Sequence, residues 1–201
     1  MNKRILMVGV GGQGTILVSK ILTEGLLEEG YDVKMSEIHG MAQRGGSVTT
    51  QIIFGDKVYS PTINNGEADI LVSFEKVEAL RYIPMLKKGG TLIVNEEEIW
   101  PLPVLSGLEE YPMGVMEGIK DTLENVISVN AREIAEALGE PRSANIVMFG
   151  LMVKALGLDQ IDWISKIKNF LPPKVHEVNV HAFEKGLSLY YNRDATDGCG
   201  I

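Results

Sequence analysis

Residues 9–14 are Gly9-Val10-Gly11-Gly12-Gln13-Gly14, and they separate an apolar run from an amphipathic stretch. The run, residues 4–10, is largely apolar, as is typical of a buried strand. Residues 15–29 place leucine and isoleucine at the spacing of an amphipathic helix and end before Gly30. Glycines at such a spacing let the chain turn tightly and let a phosphate approach the helix N-terminus. The stretch therefore predicts a strand, a glycine turn and a helix.

The next two segments predict a sheet that contains both parallel and antiparallel strands. Residues 32–38 form a second strand pattern soon after the helix, which gives a right-handed βαβ unit with parallel strands. Residues 48–54 are rich in β-branched side chains, and Gly55-Asp56-Lys57 then turns into Val58-Tyr59. We interpret this second pattern as a hairpin, so the sheet should be mixed.

The rest of the chain adds strands, helices and one irregular region. Further strands are predicted at 68–74, 91–95 and 126–129, and helices at 76–87, 130–138, 143–156, 161–170 and 174–191. Pro84 should kink or shorten the first of these helices. Asn130 with Glu133 resembles a capping box. Residues 96–125 carry several prolines and glycines, which predicts a long irregular excursion.

Together these elements predict an α/β fold. We expect a three-layer, Rossmann-like arrangement in which helices flank a mixed, mainly parallel sheet and the C-terminal third is helical. No repeat or low-complexity linker divides the chain, so we expect a single domain over residues 1–192 and a flexible tail over residues 193–201.

Composition excludes several classes of function. The chain has 19 Lys and Arg residues against 27 Asp and Glu, a net charge of −8, which disfavours nucleic acid and anionic membranes as partners. No stretch approaches the roughly 18–20 apolar residues of a membrane span, and we expect a cytoplasmic protein. The single cysteine, Cys199, cannot form an intrachain disulfide or a cluster site that needs several thiolates.

The glycine turn has two interpretations. Gly9, Gly11 and Gly14 match the dinucleotide-binding spacing, and Glu37 near the end of the second strand is a candidate for the acid that binds a ribose. Alternatively, the glycines only let the turn close and the helix pack against the strand. The amide of Gln13 suits a bound anion or a neighbouring chain equally well.

A second polar cluster spans residues 39–47 and begins where the second strand ends, which is the edge at which α/β folds bind ligands. Arg44 is a candidate for bidentate binding of a phosphate or carboxylate, and His39 is a candidate proton donor or acceptor near neutral pH. Alternatively, Arg44 pairs with an acid of a partner subunit and His39 binds a backbone carbonyl.

Other titratable residues carry weaker signals. His176 and His181 are five residues apart, which does not place two metal ligands on one helix face. Asp121, Glu124 and the run Glu96-Glu97-Glu98 are interpreted as solvated charge. We therefore predict no metal site in this chain.

Two strings of sequence together resemble one family. They are Gly9-Val10-Gly11-Gly12-Gln13-Gly14 and His39-Gly40-Met41-Ala42-Gln43-Arg44-Gly45-Gly46-Ser47-Val48. With Glu67-Ala68-Asp69 and later segments, they look like the gamma-type domain of 2-oxoacid:ferredoxin oxidoreductases over roughly residues 3–190. The second string resembles the indolepyruvate, or arylpyruvate, branch of that family.

The resemblance implies a reaction and a division of labour. Enzymes of this family oxidatively decarboxylate a 2-oxo acid with coenzyme A to an acyl-CoA and pass the electrons to ferredoxin. Their thiamine diphosphate, its Mg²⁺ and their 4Fe-4S clusters would lie in a larger alpha subunit, because this chain has one cysteine and its only Gly-Asp pair, Gly55-Asp56, is in a predicted turn. The chain should therefore be an accessory subunit that is inactive alone.

The candidate ligand of this subunit is coenzyme A, shared with the partner. Its phosphates suit the glycine turn and the loop that follows the second strand. The candidate binding residues are Gly9, Gly11, Gly12, Gln13, Gly14, Gln43, Arg44, Gly45 and Gly46, and His39 is the catalytic candidate. Two alternatives stay open: a free-standing NAD(P)-dependent dehydrogenase, and a non-catalytic nucleotide-binding interaction module.

Overall fold

A computed structural model describes residues 2–40 and 46–196 of the chain, with side chains described as far as residue 190. Its strands are β1 (Lys3–Val10), β2 (Asp32–His39), β3 (Ser47–Gly55), β4 (Ala68–Ser73), β5 (Leu86–Asn95) and β6 (Val126–Val129). They form a single sheet in the order β2-β3-β1-β4-β5-β6. Strands β1, β4, β5 and β6 run parallel to one another, whereas β3 is antiparallel to both β1 and β2. The predicted mixed, mainly parallel sheet is confirmed.

The predicted hairpin between residues 48–54 and Val58-Tyr59 is wrong, because β3 pairs with β2 instead. The β2–β3 register runs from Asp32 opposite Gly55 to His39 opposite Val48, so β2 supplies a partner of nearly the full length of β3. Val58 and Tyr59, the two residues after the turn, are too few to pair along that length. Val58 is buried, and its N–H donates to Asp32 Oδ2 at 2.8 Å, so this residue packs beside the sheet without forming a strand.

The insertion of β3 changes the first βαβ unit. β1 and β2 are parallel, as predicted, but they are not neighbours, since β3 is hydrogen-bonded to both. The residues at the end of β2 are therefore two strands away from the glycine turn that follows β1.

Helices cover both faces of the sheet, which confirms the three-layer arrangement. They are α1 (Thr15–Glu28), α2 (Lys76–Tyr82), α3 (Leu102–Leu105), α4 (Val115–Thr122), α5 (Ala131–Ala137), α6 (Ala144–Leu156), α7 (Trp163–Phe170) and α8 (His176–Thr196). One apolar core lies between the sheet and helices α1, α6, α7 and α8, and a second lies between the opposite face and helices α2 and α4.

Several elements differ from the prediction. Helix α2 ends at Tyr82, and Pro84 lies in a 3-10 turn at Ile83–Met85, so the shortening expected from proline is confirmed. Strand β5 therefore begins at Leu86 rather than at residue 91. Helix α4 was missed inside the irregular excursion. Helix α8 continues through residues 193–196 of the predicted tail, and residues 197–201, which include Cys199, lie outside the described residues.

Helices α6 and α8 cross at two glycines. A Cβ atom on Gly150 would lie 2.3 Å from the Phe183 carbonyl oxygen, and one on Gly186 would lie 2.2 Å from the Val147 carbonyl oxygen. Both distances are to backbone atoms, which cannot move aside without shifting a helix. The close packing of the C-terminal third therefore depends on these two glycines.

We predict that Gly186→Ala lowers the free energy of unfolding by about 1–3 kcal/mol, because the added methyl group forces the two helices apart. The matched control is Gly118→Ala in α4, where a Cβ would meet nothing within 4 Å and alanine should be neutral or slightly stabilising. Urea unfolding followed by circular dichroism measures both. Equal stability of the two variants would refute the proposed packing constraint.

Candidate functional site

The glycine turn joins β1 to α1, and two of its glycines are required by their surroundings. Gly14 is the N-cap of α1 with φ 80°, and a Cβ there would lie 2.1 Å from Asn145 Nδ2. A Cβ on Gly9 would lie 2.8 Å from Gln13 Oε1 and 3.0 Å from Phe74 Cβ. A Cβ on Gly12, in contrast, would meet nothing within 4 Å. Gly9 and Gly14 therefore serve packing, while the surface at Gly12 is open.

The side chain of Gln13 braces the turn from inside. Its Oε1 accepts the Val10 N–H at 2.7 Å, and its Nε2 donates to the Phe74 carbonyl at 2.6 Å and to Glu97 Oε2 at 3.0 Å. These bonds connect the turn with the segments that follow β4 and β5. The sequence left open whether this amide meets an anion or a neighbouring chain, and its bonds here are to groups of its own chain.

Glu97 accepts hydrogen bonds from several polar side chains around the turn. Besides Gln13, it accepts a hydrogen bond from Asn95 Nδ2 at 3.2 Å and pairs with Arg132 at 3.1 Å. Asn95 is itself buried, and its Oδ1 accepts the N–H of Ala131, the first residue of α5, at 3.0 Å. Three strand ends are thus tied to the start of a helix. The interpretation of Glu97 as solvated charge is therefore wrong for this member of the run.

A cleft of about 710 Å³ opens beside this network, at the carboxyl ends of β1, β4 and β5. Gly11, Gly12, Gln13 and Gly14 form part of its wall. Other parts of the wall come from the end of β5, the start of α5 and residues 140–145, together with residues 171–175 and the first turn of α8. This volume lies within the roughly 300–1,000 Å³ typical of sites for small molecules and cofactors.

Three cationic side chains line the cleft, namely Arg132, Arg142 and Lys174, together with the acids Glu97 and Glu140. Arg142 donates two hydrogen bonds to the Glu140 carboxylate, from Nε at 3.0 Å and from a second nitrogen at 3.1 Å. This guanidinium holds the pKa of Glu140 below its usual range. Arg132 donates hydrogen bonds to Glu136 and Glu97, and these bonds raise its pKa. Both arginines are therefore held in place by carboxylates, and the three bases and two acids of the lining leave one net positive charge. Local sequence patterns gave no signal for them.

The second predicted cluster, residues 39–47, is hydrogen-bonded to the glycine turn near its C-terminal end. The Gly11 N–H donates to the Gly46 carbonyl at 2.9 Å, and the Gly40 N–H donates to the Ser47 carbonyl at 2.8 Å. Gln43, Arg44 and Gly45 lie outside the described residues. His39 is exposed at the end of β2 and is not among the residues that line the cleft.

A second, smaller cleft of about 410 Å³ lies on the other side of the loop base and is lined by Gly46, Glu75, Glu78 and Tyr111, among others. Glu75 is buried and accepts hydrogen bonds from the Glu78 N–H and from the Tyr111 hydroxyl. Glu78 accepts the Ser47 hydroxyl at 2.5 Å. Burial, reinforced by the Glu75 carboxylate, raises the pKa of Tyr111 far above that of an ordinary phenol. No local sequence pattern indicated this cluster.

The structure does not bring Glu37 to the glycine turn. Glu37 accepts a hydrogen bond from the buried Ser19 hydroxyl at 3.0 Å and is not part of the cleft wall. The strand inserted between β1 and β2 separates this carboxylate from the position that a ribose-binding acid occupies. The interpretation as a free-standing dehydrogenase thereby loses the residue that favoured it.

The remaining candidates lie apart from the cleft. Glu96 pairs with Lys120 and Glu98 with Lys76, while Asp121, Glu124 and His181 are exposed. The His176 ring is hydrogen-bonded to the Leu171 carbonyl at 2.7 Å. Among residues 2–40 and 46–196, no group of three or more His, Cys, Asp and Glu side chains is placed to hold a metal ion. Over the same part of the chain, no helix is both long and apolar enough to cross a bilayer.

The sequence of this chain is similar to that of known oxidoreductase subunits. Residues 4–189 match the family described as pyruvate ferredoxin/flavodoxin oxidoreductase. An indolepyruvate oxidoreductase subunit, IorB, of Pyrococcus horikoshii is 38% identical over 190 residues, covering 91% of this chain and 93% of the relative.

Two solved structures share the fold. The gamma subunit of a keto/oxoacid ferredoxin oxidoreductase from Geobacter sulfurreducens superposes with a TM-score of 0.69 at 24% identity, covering 94% of this chain and 98% of that one. A 2-oxoglutarate:ferredoxin oxidoreductase from Magnetococcus marinus, solved with 2-oxoglutarate, coenzyme A and succinyl-CoA bound, superposes with a TM-score of 0.67 at 18% identity. The match spans 94% of this chain and 31% of that polypeptide.

Proposed function

Because the chain belongs to the pyruvate ferredoxin/flavodoxin oxidoreductase family and is an accessory subunit of a 2-oxoacid oxidoreductase, we propose that its complex acts on indolepyruvate or a related arylpyruvate. The observation that carries this proposal is the 38% identity to the Pyrococcus horikoshii subunit over nearly the whole of both chains. In the reaction, the bond between the carboxylate and the keto carbon breaks and CO₂ leaves. The acyl carbon forms a thioester with coenzyme A, the thiol proton is released, and two electrons pass to ferredoxin.

The redox groups belong, on this proposal, to a larger partner subunit. A 4Fe-4S cluster needs four ligands, which are normally cysteine thiolates, and this chain has one cysteine. The Gly55-Asp56 pair ends β3 and starts the turn after it, away from the cleft wall, so it does not suit the metal of a thiamine site. We assign thiamine diphosphate, Mg²⁺ and the clusters to that partner, and we expect the complex to work in the cytoplasm.

Coenzyme A is the ligand that best fits the cleft of this chain. The open surface at Gly11 and Gly12 borders the N-terminus of α1, where the first N–H groups have no acceptor within the helix and favour a phosphate. Arg142 and Lys174, which also line the cleft, offer positive charge for a second phosphate. Gly9, Gln13 and Gly14 hold the turn, and Gly46 binds it to the loop. We propose that Gln43, Arg44 and Gly45 of that loop extend the phosphate site.

The substrate assignment is tested by producing the chain together with the larger subunit under anaerobic conditions and assaying four oxo acids with coenzyme A and ferredoxin. We expect kcat/KM for indolepyruvate or phenylpyruvate to exceed the values for pyruvate and 2-oxoglutarate at least tenfold, and the isolated chain to be inactive. A preference for 2-oxoglutarate or pyruvate would overturn the substrate, and activity of the chain alone would overturn the accessory role.

A further inference from the structure

The excursion between β5 and α4 displays large apolar side chains to solvent. Within the fourteen residues from 100 to 113, which we name the apolar segment, five of them are between 50% and 91% exposed: Trp100, Leu102, Leu105, Leu108 and Met113. Scattered exposed leucines are ordinary, but such a concentration marks an interaction surface in a soluble protein. The neighbouring helix α4 differs, since its Val115, Met116 and Ile119 are buried in the core.

The apolar segment is anchored rather than loose. The Tyr111 hydroxyl donates to the buried Glu75, and the Tyr111 ring stacks on Trp100 with 6.3 Å between ring centroids. The N–H groups of Leu108 and Glu109 both donate to the Pro103 carbonyl, at 2.9 and 3.2 Å, which closes the turn after α3. The leucines are thus exposed by a backbone that is already folded. A pre-organised surface loses little conformational entropy when a partner binds.

The size of the exposed surface suits a stable contact. At about 200 Å² for a fully exposed large side chain, the five residues present on the order of 700 Å² of largely apolar surface. Each partner of a standard protein interface contributes roughly 800 Å². The apolar segment could therefore supply most of one side of such an interface.

The charged residues in and around the apolar segment indicate which kind of partner surface is complementary to it. No lysine or arginine occurs between residues 89 and 119, whereas Glu109 and Glu110 lie inside the apolar segment and are exposed. Within the described residues, neither of these two glutamates forms an ion pair. A second copy of the chain would bring like charges together across a symmetric contact, which opposes association. A surface with an apolar groove bordered by lysine or arginine is complementary.

We infer that the apolar segment is the surface through which this chain docks onto the larger subunit of its complex, and that the docking site there is an apolar groove with a basic rim. The inference rests on the proposed function, since it takes the larger subunit as the partner. It adds the residues that make the contact: Leu102, Leu105 and Leu108 as the apolar anchors, with Glu109 and Glu110 at the rim.

The test uses co-production with the larger subunit and measures how much of it is retained by the tagged chain. Leu102→Asp/Leu108→Asp should reduce retention at least tenfold, because each substitution places a charge where the contact would bury an apolar anchor. The control, Leu27→Asp/Tyr59→Asp, places the same charge at exposed apolar residues elsewhere and should retain the wild-type amount. Circular dichroism and urea unfolding check that both variants fold.

Charge reversal supplies a second, independent variant. Glu109→Lys/Glu110→Lys should weaken retention several-fold at low salt, and the loss should shrink as salt screens the rim. Full retention by the leucine variant would overturn the inference, as would a wild-type chain that dimerises through this segment in sedimentation experiments. If the wild-type chain retained no larger subunit at all, the proposed function itself would fail.

Discussion

Gly14→Ala is expected to lower the free energy of unfolding by about 2–5 kcal/mol, which is the largest effect we predict for a single methyl group in this chain. Two causes add. Alanine at φ 80° occupies the left-handed region at a cost of about 1–2 kcal/mol, and its Cβ would lie 2.1 Å from Asn145 Nδ2. Asn145 is 7% exposed, so its amide has little room to move aside.

Gly12→Ala is the matched control, because Gly12 also has positive φ, 101°, but a Cβ there would meet nothing within 4 Å. It should show the backbone cost alone, about 1–2 kcal/mol. The double variant Gly14→Ala/Asn145→Ala removes the clash and should recover part of the loss, which gives a coupling energy of about 1–3 kcal/mol in a double-mutant cycle. Urea unfolding is measured for the wild-type chain, Gly12→Ala, Gly14→Ala, Asn145→Ala and the double variant. Equal losses for Gly12→Ala and Gly14→Ala would contradict the packing role of Gly14.

The elements that the sequence predicted well are those with local signals. Strand β6 was predicted with its observed bounds, and helix α5 begins after Asn130, whose side chain accepts the Glu133 N–H as a capping box requires. The glycine turn was placed correctly because its spacing is contained in six residues. In each case the residues that determine the structure are adjacent in sequence.

Strand pairing was predicted less well because it is not a local property. The alternation of residues 47–55 indicates a strand but does not say which strand lies beside it, and β2 offered a longer partner than the two residues after the turn. Helix α4 was missed since only Val115, Met116 and Ile119 form its apolar face, and a proline-rich stretch precedes them.

The cleft was beyond sequence reasoning for the same reason. Asn145 approaches Gly14 across 131 residues, and Glu97 approaches Gln13 across 84. Arg142 and Lys174 carry no motif, and only the folded chain brings them to the glycine turn. The family resemblance predicted the role of the chain, whereas the groups that face a ligand had to come from the structure.

The second large effect is expected on KM for coenzyme A when cationic side chains of the cleft are removed. In the assembled complex, Arg142→Ala/Lys174→Ala is expected to raise KM for coenzyme A about 10- to 100-fold, which corresponds to about 1.4–2.7 kcal/mol for the two substitutions together. This is less than two full charge-assisted bonds would contribute, because Arg142 is already paired with Glu140. The turnover number should stay within about twofold, since neither residue is placed at the reacting atoms. Arg44→Ala should act in the same direction if the loop reaches the phosphates.

Arg81→Ala is the control, because Arg81 is an exposed cation that lines the second cleft and pairs with Glu78. It should leave KM for coenzyme A unchanged. Phosphate recognition also predicts that KM for coenzyme A rises with ionic strength in the wild-type complex and rises less in the double variant, because fewer charges remain to be screened. An unchanged KM in the double variant would show that coenzyme A binds elsewhere, and the cleft would then need another ligand. A fall in turnover number with KM constant would instead place these two residues in the chemical step or in the contact between subunits.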